Sequence, residues 1–329
     1  MLSQKEKIKL LTNPSTYNHE VNSEIQVIET NLSFVFLTGT FAYKMKKKIQ
    51  FGDILDFSTL EMRKIACENE VVLNRRLAPK IYLDVVSLTS DFKISGKGDI
   101  LEYLVKMKQL KQSDLLQNRV NKGEKIPDEL LIKLAQIMSD FHQKHILLPD
   151  FSVYENIYEK WDENFRTTLN YPEFPYNRNL EKRVFNFLEN NKEYFEGRGK
   201  RKKIVDGHGD LILNNIFESN DEIIIFDCIE FNKMLRIQDI LEEVSFLAMD
   251  LDFQKMKQKS DLFLTTYLEQ SDEQLEPNSA IINFYKSYRA YVRAKVYFSQ
   301  SLQEQSDQKK EDIISLSKKY MDLASTYNF

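Results

Sequence analysis

The chain has 329 residues, enough for about two ordinary domains of roughly 150 residues each and for a sizeable core. Hydrophobic residues are 42% and charged residues 29%, a soluble globular composition that argues against disorder. Basic side chains number 46 and acidic ones 50, so the net charge of −4 gives no reason to expect a nucleic-acid partner. Cys67 and Cys228 are the only cysteines and lie far apart, which excludes a disulfide framework and any zinc-ligand spacing. The first residues lack the apolar core of a signal peptide, and no run approaches membrane-span length. A soluble, cytoplasmic protein without a membrane partner is expected.

In chain order, the first third alternates like strands. Glu24 to Thr30, Phe34 to Thr38 and Phe41 to Lys46 are short and rich in β-branched and aromatic residues, with Thr38-Gly39-Thr40 as a tight turn between the last two. From Ser58 the period changes to helical, with Ser58 and Glu61 spaced as a capping box, and the helix stops before Pro79. Strand-like runs follow at Ile81 to Thr89 and Ile100 to Met107, joined through a turn at Lys97 to Asp99. Residues up to about 107 therefore read as β-β-β-α-β-β, an antiparallel sheet with one helix.

The remainder is mostly helical. Pro127 to His145, Ser152 to Leu169, Arg178 to Glu196, Gln238 to Leu251, Lys255 to Glu269 and a long run from Pro277 to about Thr326 carry apolar residues at helical spacing. The basic run Arg198 to Lys203 reads as a solvated loop. One β-like island interrupts the helices: Ile204 to Asp210, Asn214 to Phe217, and Glu222 to Phe226 ending in Asp227. With 9 glycines and neither a G-x-G-x-x-G nor a P-loop motif, a dinucleotide-binding domain is not indicated.

The island places polar residues where apolar strands end. His208, Asp210 and Asn215 form H-x-D-x-x-x-x-N, and Asp227 closes the run Ile223-Ile224-Ile225-Phe226. Phosphoryl transfer from ATP needs such a set: one carboxylate to align and deprotonate the acceptor hydroxyl, an amide and a second carboxylate to hold Mg²⁺. A lysine on the upstream sheet should neutralise the phosphates, and Lys44 on the third strand suits that task. A helix glutamate should hold the lysine; Glu68 and Glu70 are both available, and Glu70 is preferred. His142 reads as a core contact rather than a catalyst. Glu230 is open between a second magnesium ligand and a residue of the segment after Asp227. Arg289 and Arg293 share a helix face at i, i+4 and either make ion pairs between helices or receive an anionic acceptor.

The ordered set Lys44, Glu70, a linker near 107 to 110, His208-Gly209-Asp210, Asn215 and Asp227 resembles the aminoglycoside phosphotransferase and choline kinase branch of the protein-kinase-like fold, and in particular a bacterial aminoglycoside-phosphotransferase-like family. Further segments that look like it include Phe34 to Gly39, Ala42-Tyr43-Lys44, Leu55 to Glu61, Leu73 to Pro79, Phe226 to Asn232 and Tyr288 to Lys295, so the likeness covers nearly the whole chain. The resemblance implies an α+β, bilobal protein-kinase-like fold: a small antiparallel-sheet N-lobe over 1–107 and a mostly helical C-lobe over 108–329. It implies Asp210 as catalytic base, His208 bracing the catalytic loop, Asn215 and Asp227 as magnesium ligands, and Lys44 on the phosphates of ATP. Adenine would hydrogen-bond the backbone near Met107 to Leu110.

The chain departs from that pattern in places. The loop read as covering the nucleotide, Asn31-Leu32-Ser33, lacks glycines; Ile212 stands where relatives often carry His, and Glu243 where Asp is common. Many relatives continue into a P-loop kinase domain, which raises such a domain as a separate partner. The expected activity is transfer of the ATP γ-phosphate to a hydroxyl of a small molecule, with a protein kinase and a catalytically idle nucleotide-binding module as alternatives.

Overall fold

In the computed structural model, residues 2–21, 24–52, 55–273 and 275–329 are described. The chain divides into two compact units, Met1–Asn118 with Asn215–Lys233, and Arg119–Asn214 with Met234–Phe329. The division thus falls beyond residue 107, and the stretch from Asn215 to Lys233 groups with the first unit.

The chain opens with α1 (Gln4–Leu11), then β1 (Gln26–Glu29), β2 (Ser33–Leu37), β3 (Phe41–Lys46) and a short hairpin of β4 (Gln50–Phe51) and β5 (Leu55–Asp56). Next come α2 (Leu60–Asn74), β6 (Tyr82–Thr89) and β7 (Ile100–Lys108). The five longer strands pair antiparallel in the order β1-β2-β3-β7-β6. Gly39 takes φ 95° in the β2–β3 turn, a left-handed conformation that favours glycine.

The sheet is covered on both faces because its strands alternate two apolar sets. Phe34, Phe36, Tyr43, Met45 and Leu104 pack with Leu11 and Tyr17 on one side. Ala42, Val105 and Met107 pack with Cys67 and Val71 of α2 on the other. Lys44 and Lys46, in phase with Ala42, share the α2 side.

Two details differ from the sequence reading. A capping box of Ser3 and Glu6 starts α1, a helix the periodicity did not announce. The cap of α2 is Thr59, whose hydroxyl accepts from the Met62 N–H at 3.2 Å; the Ser58 N–H is taken by the Asp56 carboxylate at 2.8 Å, which shifts the start by one residue.

Crossing the division lies α3 (Leu116–Asn121), followed in the second unit by α4 (Asp128–Lys144), α5 (Val153–Leu169), α6 (Arg178–Asn190), α7 (Lys192–Lys200) and β8 (Ile204–Asp206). The first unit then receives the hairpin of β9 (Ile216–Ser219) and β10 (Glu222–Ile225), whose Phe217 and Ile224 join the cluster on the α2 side of the sheet. The second unit resumes with β11 (Ile237–Asp239), α8 (Ile240–Phe253), α9 (Lys257–Gln270), α10 (Leu275–Ser301) and α11 (Asp307–Thr326).

Helix α8 is buried along nearly its whole length and packs against α9 and α10; its buried acids Glu242, Glu243 and Asp250 are each paired. An aromatic cluster around the fully buried Trp161 includes Phe165, Phe284, Tyr288 and Tyr291.

The run Arg178 to Glu196 is two helices, broken at Asn191, whose side chain donates to the Phe187 carbonyl at 2.8 Å. The start of the run Arg198 to Lys203 is not a solvated loop: Arg198 lies in α7, 2% exposed, and grips Asp239 through two contacts of 2.6 and 2.7 Å. A buried guanidinium is tolerable only when paired in this way. Among the described residues, no helix is long and apolar enough to cross a membrane.

Candidate active site

In the first unit the site grows from β3, α2 and the β9–β10 hairpin. Lys44 is held between Val35 of β2 and Val105 of β7, and its ammonium reaches Glu70 of α2 at 2.8 Å and Asp227 at 2.5 Å. Glu68 points away, with its side chain 52% exposed and Lys64 4.0 Å from it. Burial opposes the charge on Lys44, but Asp227 and then Glu70 outweigh it and hold the ammonium well above the usual lysine range.

Lys46, two residues further along the strand, contacts the second oxygen of Glu70 at 2.5 Å and also pairs with Glu230. Lys46 is not among the candidate residues of the sequence. The signal was available: residues i and i+2 of a strand face the same side.

The hairpin aligns the two expected metal ligands. Ile216 pairs with Ile225, and the Phe226 N–H donates to the Asn215 carbonyl at 3.1 Å, so Asn215 and Asp227 sit at the same end of it. Asp227 adopts φ 64°, a left-handed conformation uncommon for a non-glycine residue and characteristic of strained functional positions. Its N–H donates to the Tyr82 hydroxyl at 3.1 Å, and the next N–H donates to the Asn74 side chain at 2.9 Å. No cluster of three or more His, Cys, Asp or Glu suited to a metal occurs among the described residues. Magnesium on a nucleotide does not need one, because one or two protein oxygens suffice beside phosphate and water. The amide of Asn215 and the carboxylate of Asp227, the latter 41% exposed, are hard oxygen donors that fit this demand.

The other expected nucleotide contacts are placed unevenly. Met107 lies in β7 and Leu110 just beyond its end, packed against the same apolar cluster as Ala42. Ser33 is fully buried at the start of β2, its carbonyl closing a turn onto the Thr30 N–H at 2.9 Å; its hydroxyl has no hydrogen-bond partner and is shut away from any ligand.

In the second unit, the loop after β8 carries His208 and Asp210. Its backbone is caged by α8. Glu243 accepts from the His208 N–H at 2.9 and 3.0 Å, from the Gly209 N–H at 2.7 Å and from Gln238 at 2.8 Å. His142 meets the same carboxylate at 3.0 Å and the Tyr267 hydroxyl at 2.6 Å, the core role expected of it. Burial would raise the Glu243 carboxyl, yet His142, His208 and the Gly209 N–H bring it down to about 2. Asp250 adds a further anchor, accepting from the Leu213 N–H at 2.9 Å. The Asp210 N–H donates to Nδ1 of the fully buried His208 at 3.3 Å, and the Asp210 side chain is only partly covered.

Arg289 takes the ion-pairing alternative. It is 5% exposed, contacts Glu242 at 2.9 Å, donates to the Gly209 carbonyl at 3.2 Å and also bonds Gln238, so it braces the loop from behind. One turn on, Arg293 lies over the Tyr297 and Tyr320 rings. Burial acts against its charge, but Tyr297, Tyr320, Asp210 and Asp250 together keep it above the usual arginine range.

No family model matches the sequence. The uncharacterized protein Rv2004c of Mycobacterium tuberculosis strain H37Rv is 33% identical over 296 residues, covering 87% of this chain and 57% of that protein. Mb2027c of Mycobacterium bovis matches over the same extent, so the chain spans little more than half the length of the curated relatives it matches. Among solved structures, the GDP and kanamycin complex of APH(2")-IIia has a TM-score of 0.56 at 13% identity, covering 95% of this chain and 96% of that one. A choline/ethanolamine kinase family protein from Mesorhizobium loti has 0.55 at 12%, covering 98% and 99%. The amicoumacin kinase hAmiN, in complex with AMP-PNP, Ca2+ and Ami, has 0.55 at 12%, covering 98% and 94%. The chain therefore has the α+β, protein-kinase-like fold that aminoglycoside phosphotransferases share with choline/ethanolamine kinase family proteins.

Proposed function

We propose that the protein is an ATP- and magnesium-dependent phosphotransferase acting on a hydroxyl of a small molecule. The observation that carries this reading is Lys44 bridging Glu70 and Asp227 at 2.8 and 2.5 Å, beside the hairpin end that also carries Asn215. A lysine that served only to stabilise the sheet would need no pair of carboxylates drawn from a helix and a strained loop.

In this reading Lys44 neutralises the phosphates while Glu70 keeps its ammonium aimed. Asn215 and Asp227 hold magnesium, which when bound supplies charge stabilisation on the phosphate oxygens. Asp210 aligns the acceptor hydroxyl and takes its proton, and the caged backbone around it keeps that carboxylate from drifting. The backbone from Met107 to Leu110 receives the base of the nucleotide. Small-molecule acceptors are favoured over protein ones because Asp227-Cys228-Ile229-Glu230 replaces the D-F-G signature and A-P-E is lacking.

The test is the thermal midpoint with and without Mg-ATP, in the wild type and in Asp227→Ala. A ligand that binds only the folded protein raises the midpoint by mass action. A magnesium-dependent rise that disappears in the variant supports the reading. No rise with Mg-ATP would overturn the reading, and a rise without transfer to any hydroxyl acceptor would replace it with the idle-module alternative.

A further inference from the structure

Five side chains in the first unit alternate in charge: Asp227, Lys44, Glu70, Lys46 and Glu230, each in contact with the next. The two ends of this chain lie three residues apart in one segment, so the contacts form a closed circuit through β3, α2 and the stretch after β10. Lys46 is the most secluded cation in it, with its side chain 1% exposed and its ammonium 5.4 Å from the centre of the Phe57 ring. Glu230 is 8% exposed and turned onto Lys46, which leaves it poorly placed to serve a second metal ion.

Such a circuit solves a problem that follows from the proposed function, on which this inference rests. A Lys44 that serves phosphates and an Asp227 that serves a metal cannot also stay locked on each other at 2.5 Å. Once that contact opens, the segment around Asp227 loses a tether just where its backbone holds φ 64°. The contact between Lys46 and Glu230 is independent of both functional groups. It fixes the same segment three residues on, and the contact between Lys46 and Glu70 holds the glutamate in place.

We propose that Lys46 and Glu230 are positioning residues, a second clamp that holds Glu70 and the Asp227 segment in their working geometry while Lys44 releases Asp227. They touch neither nucleotide nor metal. Their role is to keep Asp227 presented as a metal ligand.

The test is calorimetric affinity for AMP-PNP, measured with magnesium and with the metal chelated. The proteins are the wild type, Glu230→Gln, Lys46→Met, Lys46→Arg and the double variant Lys46→Met/Glu230→Gln. Glu230→Gln and Lys46→Met are expected to weaken magnesium-dependent binding about 10-fold, the effect usual for a residue that orients a metal ligand. Metal-free affinity should stay at the wild-type value in Glu230→Gln, and Lys46→Arg should restore the magnesium effect lost in Lys46→Met. If a single variant fails to fold, the double variant decides, because it leaves neither Lys46 nor Glu230 as a buried charge facing a lost partner. A folded Glu230→Gln or double variant with unchanged magnesium-dependent affinity would overturn the clamp alone. A wild type that binds no nucleotide with magnesium would overturn the phosphotransferase reading, and the clamp with it.

Discussion

The Glu243 carboxylate lies so close to Gly207 that a Cβ added there would stand 2.0 Å from its Oε2. It could make room only by giving up the His208 and Gly209 N–H groups that it holds. Gly207→Ala is therefore expected to destabilise the protein by about 1–3 kcal/mol, the usual cost of overpacking. Adding Glu243→Asp shortens the acid by one methylene and should recover part of the loss. Urea midpoints of the single and double variants check this; a Gly207→Ala protein as stable as the wild type would refute the contact.

Acid should find the same carboxylate. Held at about 2 against an ordinary 4.5, the folded-state carboxyl is depressed, so its contribution is complete above about 4.5 and is lost as pH falls towards 2. The gap corresponds to about 3 kcal/mol. Stability measured by urea unfolding should fall over that window in the wild type and fall less in Glu243→Gln, which has no carboxyl to protonate. Parallel curves for the two proteins would assign the acid sensitivity elsewhere.

Much of this molecule was readable beforehand because it is local. Strands β1 to β3, β6 and β7 follow from alternation, and Asn215 and Asp227 stand where apolar runs end. Even α1 carries an S-x-x-E signature at Ser3 and Glu6. What stayed hidden depends on partners distant in sequence. Nothing near Lys46 announces Glu230, 184 residues on, and nothing near Glu243 announces its grip on the His208 and Gly209 N–H groups of the loop after β8. Gln238 was read as the start of a helix. It lies instead in β11, pairing with Val205, because strand pairing with β8 prevails over the helical period of the residues that follow.

Arg198 shows the same limit and carries its own prediction. Its neighbours Lys200, Arg201 and Lys202 are exposed, while its guanidinium bonds Asp239 and reaches Glu273 at 2.8 Å. Asp239 also caps α8 by accepting from the Leu241 N–H at 2.8 Å. Arg198→Ala leaves a buried carboxylate without its counter-ion and should cost about 3–5 kcal/mol. Lys200→Ala should stay within about 0.5 kcal/mol of the wild type, as exposed positions do. Equal effects in the two variants by urea unfolding would restore the solvated-loop reading.

Asp210 and Lys44 should separate chemistry from binding. Asp210→Asn preserves size and leaves the Glu243 and Asp250 anchors of the loop untouched, since those engage backbone N–H groups. It removes only the group proposed to take the acceptor proton. Transfer to a hydroxyl acceptor should drop about 10²–10⁴-fold, the span attributed to a general base. The rise in thermal midpoint with Mg-ATP should persist. Lys44→Met acts at the other end of the reaction: it strips the cation from between Glu70 and Asp227 and should abolish both the rise and the transfer. Paired thermal and phosphate-transfer measurements on the two variants decide the matter. Full turnover in Asp210→Asn would remove that residue from the base role, and an unchanged midpoint rise in Lys44→Met would remove Lys44 from the phosphates.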